Sequence, residues 1–130
     1  MEFAKVEIIV SVSKASELVT NLGKKSLHQK LSKLGVNGIT VSNVLGCGVQ
    51  NGAYEYEIDF SDDKPLQLLP KSMIMFVCKK ESVDELLSIV SEELYTGHIG
   101  DGKIFVSDVT NIVRVRTGEQ GMDALEKTEL

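Results

Sequence analysis

The run Gly97-His98-Ile99-Gly100-Asp101-Gly102-Lys103 places three glycines and one ammonium within seven residues. In a glycine-rich turn of this kind successive backbone N–H groups can converge on an anion. The run fits the first seven positions of a phosphate-binding P-loop, but the eighth is Ile104, which offers no hydroxyl for magnesium. It also leads from a helical pattern into a strand pattern, whereas a P-loop leads from strand to helix. The expected chemistry is anion binding without P-loop ATP hydrolysis. Arg114 and Arg116 add to it, because residues two apart in an extended segment share a face, and two guanidiniums there need an anion or carboxylates between them. A tight helix-to-strand turn flanked by surface arginines accounts for the same residues about equally well.

Other candidate clusters are weaker. Gly46-Cys47-Gly48 begins like a dinucleotide fingerprint, but Asn51 stands where the third glycine belongs and no helical pattern follows, so a tight strand-end turn is the better account. Asp59, Asp62 and Asp63 have no histidine near them in sequence and read as a solvated loop. Lys24, Lys25, Lys30 and Lys33 read as one wet helix face. Cys78 is expected in the core and Cys47 in a turn.

The elements that must position these groups follow from periodicity. Val6, Ile8, Val10 and Val12 alternate as a first strand over Lys5 to Val12. Leu18 and Leu22, then Leu27, Leu31 and Leu34, predict a helix in two pieces broken at Gly23 and stopped at Gly35. Ile39-Thr40-Val41 opens a second strand that ends at Gly46-Cys47-Gly48. Residues 49 to 70 read as a long excursion, in which Tyr54, Tyr56, Ile58 and Phe60 alternate before the turn signal Ser61-Asp62-Asp63-Lys64-Pro65. A central strand starts at Lys71, apolar on both faces through Cys78. Ser82 and Glu85 fit a capping box for a helix carrying Val83, Leu86, Leu87, Val90 and Leu94, with Gly97 past its end. Ile104 to Val109 is a fourth strand, Ile112, Val113 and Val115 suggest a short fifth, and the acidic tail from Glu119 is expected to be mobile or weakly helical. Two β-α-β units in this order predict an α+β, ferredoxin-like βαββαβ sandwich.

Composition narrows the function classes. The 130 residues are 42% hydrophobic and 25% charged, as in one soluble domain large enough to need neither disulfides nor a structural metal. Net charge −5 argues against general nucleic-acid binding, and two cysteines and two histidines provide no zinc-ligand spacing. No stretch approaches the length of a membrane span and no basic segment precedes an apolar run at the N-terminus, so a cytoplasmic location without membrane insertion is expected.

The stretch from Thr96 through Val109, continuing as Arg114-Val115-Arg116-Thr117-Gly118-Glu119, resembles the C-terminal signature of the P-II nitrogen-regulatory signal-transduction proteins. The resemblance, to a P-II-like branch, extends back through Gly38-Ile39-Thr40-Val41, Gly46-Cys47-Gly48-Val49-Gln50 and Leu69-Pro70-Lys71. It implies a domain over residues 1–118 with a recognition loop at about 49–70, a C-terminal tail over 119–130, and a homotrimer binding ATP or ADP in clefts between subunits. By the same resemblance Gly100, Asp101, Gly102 and Lys103 would hold the phosphates, joined by Arg114 and Arg116 of the adjacent subunit. Thr40 and Val77 would lie around the adenine, and Gly48 and Gln50 at the loop root. Gln50 would also ligate magnesium when ATP and 2-oxoglutarate bind together, with Lys71 pairing a 2-oxoglutarate carboxylate near Gly100.

Departures from the family pattern bear on the ligand. Val49 and His98 stand where the family usually has cations, so discrimination between ATP and ADP is expected to be modest. Gly52-Ala53-Tyr54-Glu55-Tyr56 is only a loose echo of the segment that carries the family's uridylylated tyrosine. The expected function is a non-enzymatic sensor of adenine nucleotides. Its output would pass through Tyr54, Tyr56, Ile58 and Phe60 to a membrane transporter or a metabolic enzyme. The alternatives are a small enzyme with slow ATPase activity in the same cleft and a metal- or ion-binding structural trimer.

Overall fold

The computed structural model describes residues 2–47 and 68–126. Strand β1 spans Phe3–Val10, and Ala4, Val6, Ile8 and Val10 all turn to the buried side. Val12, expected in this strand, belongs instead to helix α1, Val12–Leu22. Ser11 is the reason: its backbone is extended and its side-chain oxygen accepts the Lys14 N–H at 3.3 Å, which starts the helix one residue after the strand ends. Helix α2 follows over Lys25–Lys33, so the expected two pieces are present, and Gly35 leaves with φ +91°.

Strand β2 is Thr40–Gly46 and strand β3 is Leu69–Lys79, two residues longer at its start than the expected onset at Lys71. A 3₁₀ turn over Lys80–Ser82 then leads into helix α3, Val83–Leu94. The expected capping box is not formed. Ser82 sits in the helical region with φ −91° and ψ −6°, inside the 3₁₀ turn, and its buried hydroxyl makes no capping bond. Strand β4 is Lys103–Val109. The expected fifth strand is reduced to a single bridge between Val113 and Gln120, and residues 115–117 turn the chain between them. The tail forms a short helix α4, Met122–Glu126, whose Ala124 and Leu125 are buried, so this part of it is docked rather than mobile.

The four strands form one antiparallel sheet in the order β2-β3-β1-β4. β3 lies inside the sheet, as its two apolar faces require. One face supplies Val6, Ile8, Ile74, Phe76 and Cys78 to a core completed by Leu18, Leu22, Leu31, Leu86 and Val90 of the helices. This is the ferredoxin-like α+β fold. On the opposite face Ile9, Met73, Met75 and Val77 stay partly exposed, and Phe105 is 51% exposed.

Candidate functional site

The glycine-rich loop is shaped by one carboxylate. Asp101 Oδ2 accepts the Thr96 N–H at 2.8 Å and the Gly97 N–H at 3.0 Å. Its Oδ1 accepts from Lys14 Nζ at 2.8 Å and from the Thr96 hydroxyl. The Lys14 hydrogen bond first, then those of Thr96, hold the Asp101 carboxyl well below the usual carboxylate range. The stabilisation from a depressed carboxylate is present above the unfolded-state pKa and is lost only as pH falls through the folded one, so this clamp is intact at neutral and mildly acidic pH. The side chain of Asp101 is thus engaged by the loop's own donors, and shapes the backbone that would face an anion.

The glycines permit the rest of the turn. Gly97, Gly100 and Gly102 have φ of +82°, +101° and +104°, a region that side chains strain to enter. Gly102 also presses on β1, where an added Cβ would stand 2.4 Å from Val10 Cγ1 and 2.9 Å from the Ile9 carbonyl oxygen. Lys103 follows as the exposed first residue of β4, opposite Ile9.

Strand register divides the remaining candidates into two groups. Ile9 faces Lys103, Val10 faces Ser72, and Gly46 faces Leu69, so the glycine loop, Lys71 and both roots of segment 48–67 stand at one end of the sheet. Lys71 is only 8% exposed, and desolvation by burial lowers its pKa. The gap left by Gly46 accommodates its stem, since a Cβ there would come within 3.1 Å of Lys71 Cγ. At the other end Phe3 faces both Lys79 and Val109. Arg114 belongs there: it donates from Nη2 to the Ala124 carbonyl at 2.9 Å, while Glu126 of the same short helix pairs with Lys79 at 2.5 Å. Thr40 lies opposite Met75, and Val77 is two residues farther along the same face toward this second end.

The extended arrangement expected for Arg114 and Arg116 is not formed. Arg114 N–H donates to the Glu119 carbonyl at 2.9 Å and Gly118 N–H returns to the Arg114 carbonyl at 2.8 Å, which places Arg116 in the turn itself. Gly118, with φ +73°, makes that closure possible. The carboxylate that Arg114 requires is Glu119, 3.4 Å from Nη1.

Six strand intervals separate the levels of Lys103 and Val109, about 20 Å along β1. Within one chain, therefore, the loop lysine and the arginine hairpin are not brought together. Lys14, which helps to organise the loop, carries no signal in the sequence pattern, because it stands 87 residues from Asp101, whereas Thr96, five residues from Asp101, opens the stretch that resembles the family signature. Gly48, Gln50, Tyr54, Tyr56, Ile58 and Phe60 lie outside the described residues. Among the described residues no group of three His, Cys, Asp or Glu side chains could hold a metal, and no helix is long and apolar enough to cross a membrane.

Fold and site together define a class: ferredoxin-like chains whose candidate anion-binding groups stand at opposite ends of one sheet. The family model described as Nitrogen regulatory protein P-II matches residues 3–119, and the chain belongs to that family. It is 39% identical over 123 residues to the nitrogen regulatory protein P-II of Cyanidium caldarium, covering 95% of this chain and 99% of that protein. Among solved structures, the B. subtilis GlnK–ATP complex is similar with a TM-score of 0.67 and 33% identity, covering 95% of this chain and 96% of that one. Arabidopsis thaliana PII bound to citrate is similar with a TM-score of 0.66 and 33% identity, covering 95% and 92% of the two chains.

Proposed function

We propose that this P-II-family chain is a non-enzymatic, cytoplasmic signal-transduction subunit that forms a homotrimer and binds ATP or ADP in each cleft between neighbours. The observation that carries the reading is the separation of the glycine loop with Lys103 from Arg114 and Arg116 across one sheet, which a second copy can close and a single chain does not. The partly exposed apolar face carrying Met73, Met75, Val77 and Phe105 is a surface on which copies of the chain would meet. Relatives with bound ligands support the ligand class, since one GlnK was solved with ATP and one PII with citrate, a polycarboxylate.

In this reading the loop over residues 100–103 and Lys103 take the phosphates from one subunit. Arg114 and Arg116 approach from the next, and Thr40 and Val77 flank the adenine. Arg114 exchanges its contacts with Glu119 and the Ala124 carbonyl for phosphate oxygens, which couples nucleotide binding to helix α4 and so to the segment 119–130 that follows the domain. Lys71, short of solvation, gains from a carboxylate such as that of 2-oxoglutarate. Gln50 would help to hold magnesium through the bound ATP. Segment 49–70, rooted beside the phosphate loop and carrying Tyr54, Tyr56, Ile58 and Phe60, would report the occupant to a membrane transporter or metabolic enzyme. It can do so only by contacting the ligand states differently.

Sedimentation combined with calorimetric titration tests this directly. The expected result is a trimer that binds ATP and ADP with similar affinity and approaches one nucleotide per chain. A species that stays monomeric at micromolar concentration, or one that binds neither nucleotide, would overturn it.

A further inference from the structure

We propose that Lys14 is the positioning residue of the phosphate loop, holding it in its binding shape from behind and cancelling the charge of the Asp101 carboxylate within it. The inference rests on the reading of residues 100–103 as a phosphate site. Lys14 is the third residue of α1, and its own N–H is fixed by the Ser11 cap at 3.3 Å. Its ammonium reaches Asp101 Oδ1 at 2.8 Å and the Leu94 carbonyl, the last of α3, at 3.4 Å. One side chain therefore joins the start of α1, the end of α3 and the loop between α3 and β4. The pair is partly buried, with side-chain exposures of 27% and 22%.

The electrostatic demand is specific to an anionic ligand. A loop meant to receive several phosphates contains a carboxylate, and its Oδ2 is what gathers the Thr96 and Gly97 amides into a turn, while Oδ1 takes the Lys14 ammonium and the Thr96 hydroxyl. Asp101 is needed for shape but opposes the ligand by charge. Lys14 offsets that charge from the ends of helices α1 and α3, since its contacts are with Asp101 and the Leu94 carbonyl. Its contribution to binding should therefore grow with ligand charge, from adenosine through ADP to ATP, whereas a residue that merely supports the fold would affect all three alike.

The test compares Lys14→Met, Lys14→Arg, Asp101→Asn and the Lys14→Met/Asp101→Asn pair in the full-length protein, by calorimetry with ATP, ADP and adenosine. Lys14→Met is expected to weaken ATP binding by about tenfold, ADP less and adenosine hardly at all, with Lys14→Arg restoring most of the loss. In the Asp101→Asn background the same methionine substitution should cost much less. Hydrogen exchange at residues 96–102 of the ligand-free protein reads the positioning role without any nucleotide, and Lys14→Met should speed it. Equal loss for all three ligands, or ATP affinity and loop exchange unchanged in Lys14→Met, would overturn the proposal. Wild-type protein that ignores ATP while Lys14→Met still loosens the loop would remove the nucleotide reading and the charge-cancelling role, and leave the holding role standing.

Discussion

Replacing Arg114 and Arg116 together by alanine is expected to weaken ATP binding by about a hundredfold or more. Each charge-assisted hydrogen bond to a phosphate is worth about 1.5–3 kcal/mol, and about 1.4 kcal/mol is a factor of ten, so two such contacts set that scale. Arg114 already bonds Glu119 and the Ala124 carbonyl before any ligand arrives, which offsets part of its gain. Arg116 lies in the hairpin turn one residue beyond Val115, which is 94% exposed, at a place suited to reach a neighbouring molecule. Adenosine separates lost phosphate contacts from a damaged fold: its affinity should change little in the double variant. Arg114→Lys should recover only part of the loss, because an ammonium keeps the charge and gives up the planar fork. Calorimetry with both ligands checks this, and unchanged ATP affinity in the double variant would place the phosphates elsewhere.

Gly102→Ala is expected to be the most damaging single methyl addition in the loop. Its backbone φ of +104° is strained for alanine, at about 1–3 kcal/mol, and the new Cβ would stand 2.4 Å from Val10 Cγ1 and 2.9 Å from the Ile9 oxygen. Overpacking of that kind adds about 1–3 kcal/mol, against a total stability of about 5–15 kcal/mol for an ordinary domain. Gly118→Ala supplies the control, since Gly118 has φ +73° but nothing within 4 Å of the added carbon, leaving backbone strain alone. Urea unfolding should show Gly102→Ala losing clearly more stability than Gly118→Ala, together with nucleotide affinity. Equal stability losses would mean that the loop does not bear on β1.

The sequence pattern reveals an element when its signal is local. Helix α3 is legible because Leu86, Val90 and Leu94 recur on one face, and those residues are buried. The end of β1 is misread because Val12 continues the alternation, and only the Ser11 side chain, bonded back to Lys14, decides that the helix has begun. The capping box fails for a comparable reason: the 3₁₀ turn before α3 puts Ser82 in a backbone conformation that an N-cap does not use. Within the candidate site, the spacing of the glycines makes the turn itself legible, and Gly97, Gly100 and Gly102 all take positive φ. What that spacing cannot carry is a contact between Lys14 and Asp101 across 87 residues, or the hairpin that takes Arg114 and Arg116 out of an extended segment. The two-ended layout of the site becomes visible only with strand register, although the resemblance to P-II proteins already implied a cleft shared by neighbours.

Mixing two defective chains tests directly whether the cleft is shared between neighbours. One chain carries Lys103→Ala and keeps its arginines; the other carries Arg114→Ala and Arg116→Ala and keeps its loop. In a cyclic trimer containing both, about one cleft in three receives the intact loop of one chain and the intact arginines of the next. Co-refolded equimolar mixtures are expected to regain ATP sites of wild-type affinity in about one cleft in four overall, which is one in three within the mixed trimers, although neither parent shows any. A mixture that forms mixed trimers yet binds ATP only as weakly as its parents would contradict it.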